Sequence, residues 1–261
     1  MTDIAGKVVW ITGASSGIGE QLAVQAAQAG AKLVLSARRE AELQRVRGLC
    51  PNPDAVAVLP LDLSAFDADQ AVQQAGAFFG PVDVLVNNAG ISQRSKLIDT
   101  QLDVYRRIFE LDFFAPVALA KALLPGMLQR KSGHIVVISS VAGKFGAPLR
   151  TGYSGAKHAL HGFFESMRGE VWRDGLKITM VCPGYIRTNI SYNAITADGG
   201  VHGKLDAGQA GGLSPEDCAA RIWRAVAHDR EEVLIGREGL YVRIKGHAPR
   251  LFSMLIKRAA S

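Results

Sequence analysis

The stretch Thr12-Gly13-Ala14-Ser15-Ser16-Gly17-Ile18-Gly19 follows the apolar run Lys7 to Thr12 and leads directly into a helical pattern. Glycines between a strand and a helix let the backbone approach a pyrophosphate, and the helix N-terminus supplies free N–H groups and a positive dipole end. The spacing G-x-x-x-G-x-G differs from the commoner G-x-G-x-x-G, so the interpretation depends on its position after a strand. We expect a phosphate-bearing ligand here, with a plain glycine-rich turn as the alternative. The residues expected to hold it are Gly13, Ser15, Ser16, Gly17, Ile18 and Gly19.

Further short apolar, β-branched runs share the character of the first one. They are Lys32 to Ala37, Ala55 to Leu61, Asp83 to Asn87, His134 to Ser139, Lys177 to Cys182 and Val233 to Ile235. Runs of this kind are typical of buried parallel strands, and stretches of helical period separate them. The alternation predicts an α/β fold with a doubly wound (Rossmann) sheet. Residues 1–261 contain no repeat, low-complexity segment or linker, so we expect a single domain.

The composition limits the classes of protein to which the chain can belong. Its 261 residues are 48% hydrophobic, enough for a large buried core. Cys50, Cys182 and Cys218 form no C-x-x-C pair, which argues against a metal site or a disulfide framework and favours a reducing compartment. No signal peptide is recognised and no apolar run reaches the ~20 residues of a membrane span, so we expect a cytoplasmic protein. The net charge of +6 is spread along the chain, and no nucleic-acid-binding motif accompanies it.

The end of the second predicted strand indicates which dinucleotide would bind. Arg38 and Arg39 stand where many NAD sites carry an acid for the ribose diol. A guanidinium can pair bidentately with a 2′-phosphate, which a carboxylate would repel, so NADP(H) is predicted. Arg38 is the favoured contact, because Arg39 can equally begin a solvated helix face.

Polar side chains also follow the third and fourth predicted strands, where ligands bind in such sheets. They are Asp62 and the pair Asn87-Asn88. Local roles are the alternative: a helix N-cap for Asp62 and an Asx turn for Asn87 or Asn88.

A second pattern, Tyr153-Ser154-Gly155-Ala156-Lys157, starts a long predicted helix. Four residues make about one turn, so the phenol and the ammonium leave the same face. The ammonium favours the phenolate form, which makes Tyr153 a candidate general acid/base; a chance pairing is the alternative. Ser140 ends the fifth predicted strand and could hydrogen-bond the substrate oxygen or cap a turn. No histidine is placed as an acylation base for Ser140, which disfavours a serine hydrolase.

These motifs, in this order and spacing, resemble the short-chain dehydrogenase/reductase family from about Lys7 to Ile190. The string beginning at Tyr153 and the segment 193–199 are similar to the subgroup called dehydrogenase/reductase member 7. The resemblance implies a seven-stranded parallel sheet and hydride transfer between a nicotinamide and a carbonyl or alcohol carbon. It also implies that Tyr153 transfers the proton, Lys157 holds the nicotinamide ribose and Ser140 orients the substrate oxygen. The further cofactor contacts that it implies are Leu63, Ala89, Gly90, Pro183, Gly184, Ile186 and Thr188.

The chain departs from the family pattern at Asp112, within Glu110-Leu111-Asp112-Phe113-Phe114. The family usually has an asparagine in this helix, which contributes to a water relay that reaches the lysine. A role for the main-chain carbonyl would survive the change, whereas a carboxylate near Lys157 would add charge and alter the titration of the site. We therefore count Asp112 among the catalytic candidates and expect a working site with an altered pH optimum.

The segments beyond Ile190 have roles that the sequence leaves open. Residues 191–212 lie where the family has a mobile substrate lid, and a disordered surface loop is the alternative. Ser214 and Pro215 are expected to begin the next helix by capping. Residues 240–261 form a basic amphipathic extension that can pack against protein, line a hydrophobic substrate entrance or lie on an anionic membrane surface.

The leading hypothesis is an NADP(H)-dependent oxidoreductase that interconverts a ketone or aldehyde and an alcohol, with a bulky apolar substrate favoured. A 3-oxoacyl-thioester reductase is the alternative among enzymes. A catalytically idle NADP(H)-sensing or scaffold protein is the alternative from another class, and Asp112 keeps it open. The resemblance also implies a homodimer or homotetramer, formed through the helices around Asp112 and Tyr153.

Overall fold

The centre of the computed structural model, which describes residues 2–258, is a sheet of seven strands. The strand order is β3-β2-β1-β4-β5-β6-β7, and every neighbouring pair is parallel. The strands are β1 (Val8–Thr12), β2 (Lys32–Ser36), β3 (Val56–Val58), β4 (Val84–Asn87), β5 (Gly133–Ile138), β6 (Leu176–Pro183) and β7 (Glu232–Ile235). Each apolar run identified in the sequence overlaps one of these strands, so the predicted fold class is confirmed.

Helices cover both faces of the sheet. They are α1 (Gly17–Gln28), α2 (Glu40–Leu49), α3 (Ala68–Phe79), α4 (Leu102–Phe109), α5 (Ala115–Arg130), α6 (Thr151–Val171), α7 (Ala207–Ala210), α8 (Pro215–Ala227), α9 (Gly239–His247) and α10 (Pro249–Arg258). Ser214 caps α8 as expected, since its hydroxyl accepts a hydrogen bond from the Asp217 N–H at 3.0 Å.

Two hydrophobic cores result from the alternation of side chains along each strand. Val9 and Ile11 point to the face covered by α1, α2 and α8. Val8 and Trp10 point to the opposite face, covered by α3, α5 and α6. Because the central strands are buried on both faces, their sequences are almost continuously apolar, which is why they could be recognised.

The strand order places the ends of β1 and β4 side by side at the centre of the sheet. The chain runs outward from β1 to β3 and then crosses back to β4, which makes this the topological switch point. In open α/β sheets, ligands bind in the crevice outside the carboxyl ends of the strands at such a point. The glycine-rich turn follows β1, and Asn88 follows β4, so both lie at this crevice.

A continuous helix of 29 residues, Leu102–Arg130, joins α4 and α5 through a π-helical turn at Glu110–Phe114. By length and composition it is the one helix in residues 2–258 that could cross a membrane, which corrects the expectation that no segment reaches that length. Leu119 and Leu123 pack into the core beneath the sheet. Core packing therefore accounts for much of its apolar character.

The C-terminal helices pack against the loop that follows β5. The Phe252 ring lies 5.3 Å from the Phe145 ring, centroid to centroid, and Lys245 Nζ donates a hydrogen bond of 2.6 Å to the Lys144 carbonyl. Among the alternatives for this extension, packing on protein is observed for α9 and α10, and Tyr241, Leu255 and Ile256 also line the central cavity. Residues 259–261 of the predicted extension lie outside the described residues.

The three cysteines are buried and unpaired. Burial raises the pKa of all three thiols, to about 12 for Cys182 and for Cys218. The thiols are therefore protonated and shielded from solvent at neutral pH.

Candidate active site

A cavity of about 1360 Å³ opens at the carboxyl ends of the central strands. Every residue predicted to bind cofactor or to act in catalysis lines this cavity, with the exception of Gly19. Side chains that are far apart in the sequence therefore meet in one site. One half of the cavity contains the glycine-rich turn, and the other half surrounds Tyr153.

The glycine-rich turn between β1 and α1 has no room for side chains. Gly13 and Gly17 adopt φ of +64° and +59°, a region that favours glycine. A β-carbon at Gly13 would lie 2.8 Å from Ala89 Cα, and one at Gly19 would overlap the Gly13 carbonyl. Ser16 precedes α1 but its side chain makes no capping hydrogen bond, which leaves N–H groups of the first turn open to an anion. This cradle fits the pyrophosphate of a dinucleotide.

Asn88 fastens the end of β4 to the glycine-rich turn. Its Nδ2 donates to the Thr12 and Gly13 carbonyls at 3.0 and 3.1 Å. The Thr12 hydroxyl accepts in return from the N–H groups of Asn88 and Ala89, at 3.1 and 3.2 Å. Within the described residues neither Asn87 nor Asn88 makes an Asx turn, so that alternative is wrong. Asn88 instead fixes the spacing of the two strand ends between which the cofactor would lie.

The end of β2 carries two exposed arginines on the rim of the cavity. Among residues 2–258, the side chains of Arg38 and Arg39 make no hydrogen bond and no ion pair, so both guanidiniums are available to a ligand. Asp62 Oδ1 accepts from the Ser64 hydroxyl at 2.7 Å and from its N–H at 3.0 Å; these bonds, with Arg38 nearby, lower the pKa of Asp62. Asp67, not Asp62, caps α3, which overturns the N-cap alternative.

Tyr153 and Lys157 lie one turn apart on α6, as their spacing predicts. Lys157 Nζ lies 5.7 Å from the centre of the Tyr153 ring and donates to the Ile138 carbonyl at 3.1 Å. The Tyr153 hydroxyl makes no hydrogen bond to any described residue. Ser140 Oγ accepts from the N–H of the second residue after it at 3.1 Å and donates to the Pro183 carbonyl at 3.4 Å. Ser140 thus caps a turn and also lines the cavity.

Asp112 lies in the π-helical turn and is fully buried. Its Oδ1 accepts a hydrogen bond of 2.8 Å from the Ile91 N–H. Its Oδ2 lies 3.4 Å from Lys157 Nζ and makes no hydrogen bond among the described residues, so this contact is an ion pair without hydrogen-bond geometry. Burial raises the pKa of Asp112, and the neighbouring Lys157 acts in the opposite direction. The departure from the family pattern thus brings a carboxyl group next to the predicted catalytic lysine.

Gln93 positions the start of α6, although the sequence did not single it out. Its side chain is fully buried; Oε1 accepts from the Gly152 N–H at 2.7 Å, and Nε2 donates to Ser95 Oγ at 3.0 Å. Gly152 directly precedes Tyr153, so this amide helps to fix the tyrosine. A lone glutamine in a loop has no pattern by which it could have been recognised.

Three charged residues on the side of the cavity near Tyr153 were also missed. Arg94 and Arg150 both pair with the Asp206 carboxylate: Arg94 Nε lies 3.2 Å from Oδ1, and an Arg150 Nη lies 3.1 Å from Oδ2. Burial first, and then the charge of Arg150, lower the pKa of Arg94 to about 10. The three residues come from separate parts of the chain, so only folding brings them together.

The predicted lid, residues 191–212, covers this half of the cavity. The Ile195 N–H donates to the Ser92 carbonyl and its carbonyl accepts from the Arg94 N–H, both at 2.9 Å. The buried Gln209 donates to the Ile186 carbonyl and to Thr188 Oγ1. The segment therefore has defined contacts with the site, and its mobility stays a prediction.

A buried polar cluster lies behind the site. His161 Nε2 is 3.1 Å from Ser139 Oγ and 3.5 Å from Cys182 Sγ, whereas His161 Nδ1 is 3.7 Å from Glu232 Oε2. The thiol and the carboxylate thus approach opposite ring nitrogens, and Lys144 Nζ lies 2.5 Å from the same Glu232 oxygen. Burial and the Lys144 charge lower the pKa of His161. This geometry fits a neutral imidazole in an ion-pair network better than a metal centre.

Comparison with known proteins supports this description of the fold. The profile of the short chain dehydrogenase family matches residues 7–198. A dehydrogenase/reductase SDR family protein 7-like of Anopheles gambiae is 45% identical, over 98% of this chain and 83% of that protein. The mouse dehydrogenase/reductase SDR family member 7B is 42% identical, over 97% of this chain and 81% of that protein.

Solved structures show the same architecture. A short-chain dehydrogenase from Streptomyces avermitilis superposes with a TM-score of 0.82 at 30% identity, covering 97% of this chain and 96% of that one. A short chain dehydrogenase/reductase from Burkholderia phymatum, in complex with NAD, gives a TM-score of 0.85 at 25% identity, with 96% of each chain covered. The resemblance inferred from the motifs is confirmed, and with it the expectation of a nicotinamide cofactor. The chain therefore belongs to the short-chain dehydrogenase/reductase family of oxidoreductases.

Proposed function

We propose that the protein is an NADP(H)-dependent oxidoreductase that interconverts a ketone or aldehyde and an alcohol. The observation that carries the proposal is the placement of Tyr153 and Lys157 on one face of α6, in the same cavity as the glycine-rich turn. A phenol without a hydrogen-bond partner among residues 2–258, lying beside a buried ammonium, suits transfer of a proton to or from a substrate oxygen.

Each residue of the site has a role that follows from its position. When bound, the nicotinamide supplies or accepts the hydride. Tyr153 donates a proton to the carbonyl oxygen during reduction and accepts it during oxidation. Ser140 Oγ donates only a long hydrogen bond, to the Pro183 carbonyl, so its proton can turn to the substrate oxygen and orient it. The Lys157 ammonium lies beside the Tyr153 ring and holds the ribose of the cofactor.

The choice of NADP(H) over NAD(H) is supported by Arg38 and Arg39. Both guanidiniums line the cavity at the end of β2, where the adenosine ribose would lie. Without an ion-pair partner in residues 2–258, they are free to bind a 2′-phosphate. After the hydrogen bonds from Ser64, the charge of Arg38 also lowers the pKa of Asp62. Arg38 therefore lies near Asp62, which supports its place on the ribose side of the cavity.

A bulky apolar part of the substrate is supported by the walls around Tyr153. The apolar residues that line this half of the cavity are Leu97, Phe145, Leu149, Val201, Tyr241, Leu255 and Ile256. Several of them come from the lid and from α9 and α10, so the C-terminal extension forms part of the substrate entrance. A small polar substrate would leave much of this surface in water.

The test is oxidation of NADPH, followed by absorbance, with a panel of ketones, aldehydes, steroids and quinones. Tyr153→Phe should reduce turnover by about a thousandfold, because the proton donor is lost while the ring is kept. The matched control, Tyr105→Phe, removes a hydroxyl from α4 that contacts Thr151 Oγ1 and should retain turnover. NADPH binding must be unchanged in both variants. Equal turnover by Tyr153→Phe and wild type would contradict the proposal, and NADPH binding without turnover of any carbonyl would favour the idle-sensor alternative.

We also propose that the protein forms a homodimer or homotetramer through the helices around Asp112 and Tyr153. Phe114 on the π-helical turn and Phe163 on α6 are 52% and 36% exposed, and both pack edge-on against Phe113. Exposed aromatic side chains at such a surface favour association. Phe114→Lys should produce a monomer in light-scattering measurements; an unchanged mass would contradict this interface.

A cytoplasmic location is proposed on the strength of the unpaired cysteines, which suit a reducing compartment. Peripheral membrane contact through the C-terminus is supported by Leu240, Leu251 and Met254, which remain exposed beside basic residues on α9 and α10. Sedimentation with anionic phospholipid vesicles tests this contact. Pelleting that depends on lipid is expected, and its loss in Met254→Asp would tie it to α10.

A further inference from the structure

The half of the cavity near Tyr153 contains an excess of positive charge. Arg94 and Arg150 contribute two guanidiniums, and Asp206 is the carboxylate that they share. Arg94 also donates from Nη1 to the Gln93 carbonyl at 2.7 Å, so its donors are largely occupied. One positive charge in this group therefore has no carboxylate of its own.

Burial makes this excess charge costly. The Arg94 side chain is 8% exposed, and the Arg150 side chain is 18% exposed. Two guanidiniums at one carboxylate repel each other, and the effect of Arg150 on Arg94 is visible in the lowered pKa of Arg94. A buried charge without a partner is unfavourable, and an added anion would relieve it.

Arg150 has N–H groups that are still available to donate hydrogen bonds. A guanidinium has five N–H groups, and within residues 2–258 the Arg150 guanidinium makes one hydrogen bond, to Asp206 at 3.1 Å. Its guanidinium carbon lies 5.8 Å from the centre of the Tyr185 ring, which holds it at the cavity wall. A planar fork with free N–H groups matches the oxygens of a carboxylate or a phosphate.

The neighbouring charges of the same cavity do not cancel the excess. Lys96 and Arg107 also line the cavity. Burial, and then the charges of Arg94 and Lys204, lower the pKa of His202. Besides Asp206, the acidic residues that line the cavity are Asp62, Asp112, which pairs with Lys157, and Glu238, which accepts from the Tyr185 N–H at 3.3 Å. The field in this part of the cavity is therefore positive on balance.

We propose that Arg94 and Arg150 bind an anionic oxygen group of the carbonyl substrate, a carboxylate or a phosphate. This inference rests on the proposed carbonyl oxidoreductase activity and names the substrate class: an apolar ketone or aldehyde that also carries an anion. The apolar walls take the body of the molecule, and the guanidiniums bind its anionic group while Tyr153 reaches the carbonyl. Asp206 shares the same donors, so its carboxylate competes with the anion of the substrate.

The experiment compares three aryl ketones that differ in one substituent: 4-acetylbenzoate, 4-acetylphenyl phosphate and the neutral methyl 4-acetylbenzoate. The measured quantity is the ratio of kcat/KM for each anion to kcat/KM for the ester. In wild type the ratio should exceed one, and in Arg150→Gln it should fall about tenfold, as expected for one charge-assisted hydrogen bond. The anion whose kcat/KM ratio falls more in Arg150→Gln identifies carboxylate or phosphate as the preferred group.

Two further variants separate binding of an anion from a structural role of the cluster. Asp206→Asn removes the competing carboxylate and should raise the ratio several-fold, whereas loss of a purely structural latch would lower turnover of all three ketones alike. Arg94→Lys keeps the charge but loses the fork, and should lower the ratio without unfolding the protein. Arg106→Gln removes an exposed arginine of α4 that pairs with Asp103, and controls for net charge. An unchanged ratio in Arg150→Gln and Arg94→Lys would overturn the proposal.

Binding measured without turnover keeps this inference separate from the proposed function. Calorimetric titration of the three ketones into NADPH-saturated Tyr153→Phe protein gives their dissociation constants when proton transfer is blocked. Tighter binding of an anion than of the ester, lost in the Arg150→Gln background, supports the anion site even if no ketone is reduced. Equal affinities for anions and ester contradict the anion site even if all three ketones are reduced by wild type.

Discussion

Asp112 Oδ2 lies 3.4 Å from Lys157 Nζ, and the two side chains are 0% and 5% exposed. The ammonium that supports Tyr153 therefore has a carboxyl neighbour, and both side chains are almost completely shielded from solvent. In such surroundings the interaction between charges is stronger than at the surface. The protonation of Asp112 consequently determines how much positive charge acts on Tyr153.

We predict that Asp112→Asn shifts the pH–rate profile of alcohol oxidation to lower pH, by about one unit. Oxidation requires the phenolate of Tyr153, and an ionised Asp112 offsets the Lys157 charge that favours it. Because burial raises the pKa of Asp112, the variant and wild type should converge at acidic pH, where Asp112 is protonated. Glu110→Gln, an exposed change in the same turn, is the control. Superimposable profiles for Asp112→Asn and wild type would rule this out.

Arg38→Asp should reverse the preference between the two dinucleotides. The carboxylate repels a 2′-phosphate and can accept hydrogen bonds from a ribose diol, so the ratio of kcat/KM for NADPH to that for NADH should fall about a hundredfold. Arg39→Asp introduces the same charge at the adjacent position and should have a smaller effect. A ratio that Arg38→Asp leaves unchanged would remove Arg38 from the cofactor site.

Two glycine substitutions should act on stability in opposite directions. Gly19→Ala places a methyl group onto the Gly13 carbonyl and 2.5 Å from Asn88 Nδ2, so the glycine-rich turn must shift. The free energy of unfolding should fall by more than about 2 kcal/mol, and dinucleotide affinity should fall with it. Gly48→Ala on α2 meets nothing within 4 Å and should stabilise the protein by about 0.5–1 kcal/mol. Urea denaturation measures both, and equal effects would show that the turn tolerates side chains.

His134 should make the protein sensitive to mild acid. Its side chain is buried in β5 between Thr2 and Thr179, and burial lowers its pKa to about 4. Unfolding returns the imidazole to water, where its pKa is ~6.5, so the unfolded state binds the proton first as the pH falls. The stability from a neutral His134 is present above pH ~6.5 and is lost as the pH falls towards 4.

The comparison of His134→Gln with wild type isolates this contribution. Between pH ~7 and ~5, wild type should lose about 2 kcal/mol more unfolding free energy than the variant. Urea denaturation at both pH values provides the measurement. Equal losses would mean that His134 does not titrate on unfolding in this range.

The sequence predicted the sheet well because buried parallel strands have continuous runs of apolar and β-branched residues. It also predicted the cofactor half of the site, since the glycine-rich turn, Arg38 and Asn88 each directly follow a strand. The carboxyl ends of neighbouring parallel strands necessarily meet. At these strand ends, the position of a residue in the sequence pattern therefore indicates its position in the structure.

In the half around Tyr153, the charged cluster of Arg94, Arg150 and Asp206 could not be predicted, since its members meet only after the lid has packed. Arg94, Arg150 and Asp206 each look like ordinary surface charges in the sequence. The 29-residue helix was missed as a long apolar element because Asp112 and other charged residues interrupt its apolar run. In these places tertiary contacts, and not local pattern, determine the structure.

Because the thiols of Cys50, Cys182 and Cys218 are buried, thiol-reactive dyes should not label the native protein. A cysteine introduced at Val201, which is 66% exposed on the segment covering the cavity, would be the one thiol that a maleimide dye can reach. No native cysteine has to be removed first. A fluorophore at that position would test the predicted opening and closing of the segment in real time, in the otherwise unmodified protein.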